Sequence, residues 1–444
     1  MSNPPATLHL RLWALAWPLI LSNITTPLLG LVDAAVLGHL DSPVYLGAVA
    51  LAGNLFTFLF WAFGFLRMGA TGLAAQSWGA GDQGRLIREF LRAAAIALGI
   101  GLFMILNRAW ILPLGLEWMQ ATGDIWTQAH NYAEIRIFSA PAVLIQYCVV
   151  GWLIGCQRTR SALILAVSAN IVNIALDLLF VVGFGMRADG VAWASLIAEY
   201  YSLVLGLYFV VRGDAGNFLA QLRNSELWAR SAFAKLLKLN GDLFIRTILL
   251  LFTFAFFTAQ GAQMGTNVLA ANAVLLTFLM IISNALDGFA NGVEALCGEA
   301  VGKRDQAMLR RTARIGGVWS LVTALLLTLA FWLGGDWLIN RLTDLEVIRT
   351  EASRYLIWLI LCPLIGVWSY LFDGVFVGAT QGKAMRDTII VATLLVFLPS
   401  WWLTQGWGNH GLWFSLCLFL AARGAYQAWL YKTFCQHEKW FITN

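Results

Sequence analysis

The acids Asp33, Glu134, Asp177, Glu199, Asp287, Glu294 and Asp373 all stand inside apolar stretches, with Arg67, Arg136, Arg246, Arg354 and Arg423 as candidate partners. A carboxylate at the centre of a membrane helix costs roughly 2.5–3.5 kcal/mol on insertion scales, so each of these acids needs a partner or a task. Pairing is the plain account of most of them, and structural pairing or snorkelling covers Glu134 with Arg136 and Glu199 near a helix end. Asp33 and Asp177 are harder to dismiss. Pro27 removes a backbone donor one and a half turns before Asp33, which makes it a candidate hinge. Asn173 and Asp177 are spaced i, i+4, which stacks an amide and a carboxylate on one helix face. Ser195 adds a hydroxyl at similar depth. Carboxylates, an amide and a hydroxyl gathered in an apolar surrounding are suited to taking up and releasing a proton or a small cation. Asp33, Asn173, Asp177 and Ser195 are therefore one group of candidate functional residues, and Asp373 with Glu294 a second. No HExxH or GxSxG motif occurs, the histidines are scattered, and the six cysteines show no CxxC spacing, so neither metal, cofactor nor enzyme chemistry is expected.

The elements that must carry these residues follow from composition. Of 444 residues, 59% are hydrophobic and 12% charged, about half the charged share of a soluble chain. At roughly 20 apolar residues per crossing of the bilayer, the chain has room for about twelve spans and no separate soluble domain. Apolar runs predict helices near 12–38, 44–76, 89–112, 129–154, 162–183, 190–211, 236–261, 268–299, 313–334, 352–377, 386–405 and 410–432. The first is read as a retained helix and not a secretory signal. Counted from the cytoplasmic ends at 1.5 Å per residue, Asp33 and Asp177 lie about 32 and 23 Å up, both in the periplasmic half.

Basic residues gather in alternate loops: Arg85, Arg88 and Arg92; Arg158 and Arg160; Arg212, Arg223, Arg230, Lys235 and Lys238; Lys303, Arg304, Arg310, Arg311 and Arg314; Lys383 and Arg386. The opposite loops carry Arg108, Arg187, Arg341 and Arg349. The positive-inside rule then puts both termini in the cytoplasm and explains the net charge of +5 without a nucleic-acid partner. Trp110, Trp118, Trp337, Trp401, Trp402 and Trp407, at predicted helix ends, read as interfacial belts.

Residues 46–86 and 269–309 match without a gap at an offset of 223: Leu46 falls on Leu269, Gly69 on Gly292, Gly79 on Gly302, and Asp82-Gln83 on Asp305-Gln306. The expected fold is an all-α integral membrane protein of twelve helices in two six-helix lobes, 1–222 and 223–444. Since six is even, both lobes enter with one orientation, related by a pseudo-two-fold axis along the membrane normal. Asp33 falls on Phe256 and Asp177 on Ser400, so the acids are not part of what is duplicated. Asp287 falls on Gly64, one turn from Arg67, and the pair Arg67 and Asp287 is a candidate gate.

The stretch Leu28–Gly47, containing Asp33, His39 and Asp41, is similar to the first helix of the DinF branch of the multidrug and toxic compound extrusion (MATE) family. Phe65–Met68, Asn173–Asp177, Ala285–Phe289, Val293–Ala295 and Asp373–Ala379 resemble the same family, and the resemblance runs end to end. It implies two lobes flanking a cleft and export of organic, often cationic, compounds in exchange for protons or sodium. It also implies an N-lobe cation site at Asp33, Asn173 and Asp177, with Ser195 where some relatives have threonine. The sodium-coupled branch pairs a glutamate of the seventh helix with an aspartate of the tenth. Here the seventh has no acid between Arg246 and Gly261, which favours protons over sodium.

The function expected is a secondary antiporter in the bacterial inner membrane, a lipid-surrounded monomer exporting small organic compounds, cationic or amphipathic, against protons by alternating access. Sodium coupling and a lipid-linked precursor flippase are the alternatives. A flippase handling polyanionic headgroups needs a cleft rich in Arg and Lys, so the placement of the intramembrane arginines discriminates.

Overall fold

The computed structural model describes the backbone of residues 5–37, 43–212 and 215–441, and the side chains of 7–23, 44–212 and 216–441. No strand occurs among them. The first helix is α1 (Pro5–Leu37). Ten helices long and apolar enough to cross a membrane follow: α2 (Val44–Ala80), α3 (Gln83–Leu106), α4 (Gly123–Gly155), α5 (Thr159–Gly183), α6 (Ala188–Val211), α7 (Arg230–Gln263), α8 (Thr266–Gly302), α9 (Gln306–Leu342), α10 (Glu346–Gly378) and α11 (Gly382–Trp407). The last long helix, α12 (Asn409–Gln436), brings the total to the predicted twelve. Its hydropathy is diluted by Asn409, Arg423 and Gln427, which are all buried. Polar groups that lower the apolar signal of α12 are thus turned into the protein, away from lipid.

The duplication is written into the backbone. Asp82 caps α3 by accepting from the Arg85 N–H at 2.8 Å, and Asp305 caps α9 by accepting from the Met308 N–H at 2.8 Å. Left-handed residues recur in register: Gly81 and Arg304 (φ 72° and 56°), Gln157 and Thr380 (60° and 53°), Gly185 and Gly408 (67° and 57°). Each pair is separated by the sequence offset of 223, so the repeat extends well past residue 86. Arg304, Gln157 and Thr380 hold a conformation disfavoured for a side chain, which marks these turns as imposed by the helices they join.

Helix packing repeats too. A Cβ at Gly151 or Gly155 of α4 would strike the carbonyl oxygens of Arg67 and Thr71 on α2. A Cβ at Gly374 or Gly378 of α10 would strike those of Ala290 and Glu294 on α8. These are equivalent positions, and the absence of a side chain lets the backbones touch, as membrane helices require where no hydrophobic force drives them together. One difference between the copies is local: α2 is interrupted by a turn at 62–64, whereas α8 runs unbroken through Asp287, the equivalent of Gly64.

The chain packs as two compact units, Leu21–Leu237 and Met1–Ile20 with Lys238–Asn444, called here the N-unit and the C-unit. One border falls within α1, at 20/21, and the other within α7, at 237/238. The first half of α1 is held in the C-unit by an Arg11–Glu299 ion pair at 2.6 Å, by a Trp319 indole N–H donating to His9 Nδ1 at 3.0 Å, and by Trp13 edge-on to Phe289 and Trp319. Trp110, Trp118, Trp337, Trp402 and Trp407 are exposed, as a belt requires. Trp401 is instead buried in the C-unit core, because successive helical residues point about 100° apart. All six cysteines are free and buried, in keeping with packing roles.

Candidate coupling and substrate sites

In the N-unit, the α-helical part of α5 ends at Asp177, and Leu178–Gly183 continues in π geometry. Asp177 has no exposed surface, and Asn173 and Ser195 are buried beside it. With the Asn173 amide oriented so that both its ends are satisfied, its nitrogen donates to Asp177 Oδ2 at 2.9 Å. Its oxygen then accepts from the Ser195 N–H and hydroxyl, each at 3.2 Å. The structure therefore brings together three of the four residues picked out for coupling. The amide is the link: it is one helical turn from Asp177 on α5 and faces α6, which carries Ser195. Pro27 and Asp33 fall in the stretch of α1 whose side chains lie outside the described residues.

Among the described residues of the N-unit, Glu134 and Glu199 are both ion-paired, Glu134 with a different partner from the one expected. Glu134 meets Arg108 at 3.1 Å and His130 at 3.9 Å. Arg136 meets Glu199 at 3.3 Å and the Ser139 hydroxyl at 2.7 Å. The expected Glu134–Arg136 pair does not form, since residues two apart on a helix do not share a face.

The C-unit holds a second polar cluster. Asp373 on α10 accepts on Oδ2 from Arg246 of α7 and from Arg423 of α12, the latter at 2.7 Å. Gln427, one turn after Arg423, donates to Oδ1 at 2.6 Å. Near it, Tyr370 of α10 hydrogen-bonds to Ser283 of α8. Glu294, also buried, sits on α8 where Gly378 closes on the backbone. Gln427 escaped the sequence reading, although its i, i+4 spacing from Arg423 was a usable signal. Of the candidate gate pair, Arg67 belongs to the N-unit and Asp287 to the C-unit, and each is half-buried.

A carboxylate contacted by two guanidinium groups and an amide is already neutralised by the protein. A carboxylate beside an amide and a hydroxyl, as at Asp177, has the ligand chemistry of a proton or small-cation site. The two clusters are thus chemically unlike, although they stand on duplicated scaffolds.

The MatE family model matches twice, over residues 18–179 and 243–402. The chain belongs to this family. Its members are the MATE transporters that the motifs resemble, so the chain is a membrane transporter and not an enzyme. It is similar to DNA damage-inducible protein F of Escherichia coli K12, with 43% identity over 98% of this chain and 94% of that protein. It is also similar to a probable multidrug resistance protein NorM of Xylella fastidiosa strain 9a5c, with 25% identity over 94% and 90% of the two chains. Among solved structures, a MATE crystal structure in a bent conformation superposes with a TM-score of 0.87 at 16% identity, covering 99% of each chain. At that identity the match supports the twelve-helix fold and nothing finer.

Proposed function

We propose that this MATE protein is a secondary active antiporter that exports small organic compounds by alternating access, in exchange for protons. The observation that carries the coupling is the Asn173–Asp177–Ser195 cluster buried in the N-unit. Asp33 is its second carboxylate. Two carboxylates held together out of water repel each other, and a proton taken up from the periplasm removes that repulsion. Helix α1, loosened at Pro27, then shifts and substrate leaves; release of the proton inward restores affinity. Efflux of organic compounds is the reading favoured by the similarity to a protein named for multidrug resistance. The protein resides in the bacterial inner membrane with both termini in the cytoplasm, acts as a monomer among lipids, and needs no cofactor beyond its coupling ion.

Protons are preferred to sodium because Asp373, the C-unit acid at a sodium-branch position, is occupied by Arg246, Arg423 and Gln427. Glu294 stays with Asp373 as a substrate-side candidate. Arg67 and Asp287 are proposed as a gate pair, to be checked by distance distributions between labels on α2 and α8 with and without Arg67→Gln. The deciding experiment for coupling is transport by purified protein in liposomes with proton and sodium gradients imposed separately. Export driven by the proton gradient alone is expected, and export driven by sodium alone would overturn the assignment.

A further inference from the structure

The Arg246–Asp373–Arg423 cluster has three properties that a purely structural ion pair does not need. First, it is absent from the other copy of the repeat. At the 223 offset Arg246 falls on Asn23, Asp373 on Val150, Arg423 on Tyr200 and Gln427 on Val204, so the same scaffold folds without it. Second, it is not fully sealed. The Arg246 and Asp373 side chains keep 11% and 13% exposure, and Arg423 keeps 5%. Third, both arginines converge on a single oxygen, Asp373 Oδ2, while Gln427 takes Oδ1.

Two guanidinium groups meeting at one point form a receptor for a carboxylate, sulfate or phosphate oxygen. Asp373 fills that receptor from within. An outside anion can replace Asp373 only if the released carboxylate finds another cation, since an unpaired charge out of water is prohibitive. A ligand carrying one anionic and one cationic group makes the exchange with no change in net charge.

We propose that Arg246 and Arg423 receive the anionic group of a zwitterionic substrate, and that Asp373 is an internal placeholder that then faces the substrate's cationic group. This rests on the exporter reading above and names the substrate class of its C-unit site. It also gives Asp373 a task other than ion coupling.

The test uses two dyes on one scaffold: rhodamine B, with a free carboxylate and a cationic xanthene, and its ethyl ester, which is a cation only. Binding of each to the purified full-length protein is followed by fluorescence anisotropy. The wild type is expected to prefer rhodamine B by roughly tenfold, the scale of one charge-assisted contact. Arg246→Gln should bring the ratio to about one. Arg246→Lys, which keeps the charge without the fork, should hold an intermediate ratio. Asp373→Asn should raise the ratio, because both dyes lose the same cation contact while the arginines lose their internal competitor. A structural role for Asp373 predicts no such rise. A wild-type ratio near one overturns the proposal, as does a ratio unmoved by Arg246→Gln and Asp373→Asn. Export of the ester by wild-type liposomes without discrimination between the dyes would leave the exporter reading standing and the zwitterion site refuted. Export and binding of neither dye would count against both.

Discussion

Asp177 stands at the point where α5 changes from α to π geometry. A π segment breaks the regular i to i−4 ladder and is common where a helix must serve a function. Here it sets a fully buried carboxylate at the junction of the two geometries. Asp177→Asn is expected to fold, since an amide fits the space and can still bond to Asn173. Substrate binding measured at pH 5.5 and 7.5 should then lose its pH dependence, and gradient-driven export should stop. On the proposed coupling, reciprocity requires the wild type to bind protons less well when substrate is bound, by the same factor as protonation weakens substrate binding. Wild-type pH dependence in Asp177→Asn would move coupling elsewhere. The Arg136–Glu199 and Arg108–Glu134 pairs carry no such expectation, since each acid has its cation.

At the scale of elements, the glycine contacts of α4 on α2 and of α10 on α8 are the seams of the two copies. Gly151→Ala and Gly374→Ala each force a methyl group against a main-chain carbonyl, so the helices must part. A loss of about 1–3 kcal/mol is expected for each, the usual cost of overpacking. It should appear as a lowered melting temperature in detergent. Gly99→Ala, where a Cβ meets nothing within 4 Å, is the control and should not melt earlier. The caps give a second, smaller test. Asp82→Ala and Asp305→Ala should each cost about 1 kcal/mol and by similar amounts, because the two caps share one geometry. Unequal losses would mean that the copies have diverged in how they start α3 and α9.

For the whole molecule, orientation is the property most directly open to measurement. All six native cysteines are buried, so introduced thiols can be labelled over a low background. Asp344 is fully exposed between α9 and α10, and Ser225 is exposed between α6 and α7. In intact spheroplasts a membrane-impermeant maleimide should label Asp344→Cys and spare Ser225→Cys until the membrane is broken. The reverse pattern would invert the proposed topology and with it the direction of transport. The sharing of α1 between units also has a consequence: the first half of the helix is tied to the C-unit through Arg11, His9 and Trp13, while Pro27 and Asp33 follow on the N-unit side of the border.

Sequence alone determined the solvent of each segment, and hence the number of spans, because transfer into a bilayer is decided by about 20 neighbouring residues at a time. It determined the duplication, since the Asp82 and Asp305 caps and the paired glycines are local motifs repeated at one offset. It also placed Asn173 and Asp177 on one face, since helical geometry alone relates residues four apart. Ser195 joined them only through depth along a different helix, and the structure supplied the contact. Tertiary structure alone decided the ion pairs. Glu134 turned to Arg108, Arg136 to Glu199, and Asp373 to Arg246, Arg423 and Gln427, on helices far apart in sequence. It also decided that α1 is divided between the units and that Trp401 is core and not belt. The physical reason is common to all of these. Hydropathy says that a helix enters the membrane, but its rotation and its neighbours are set by close packing of backbones and by which buried charge can reach another, and neither is a property of any one segment.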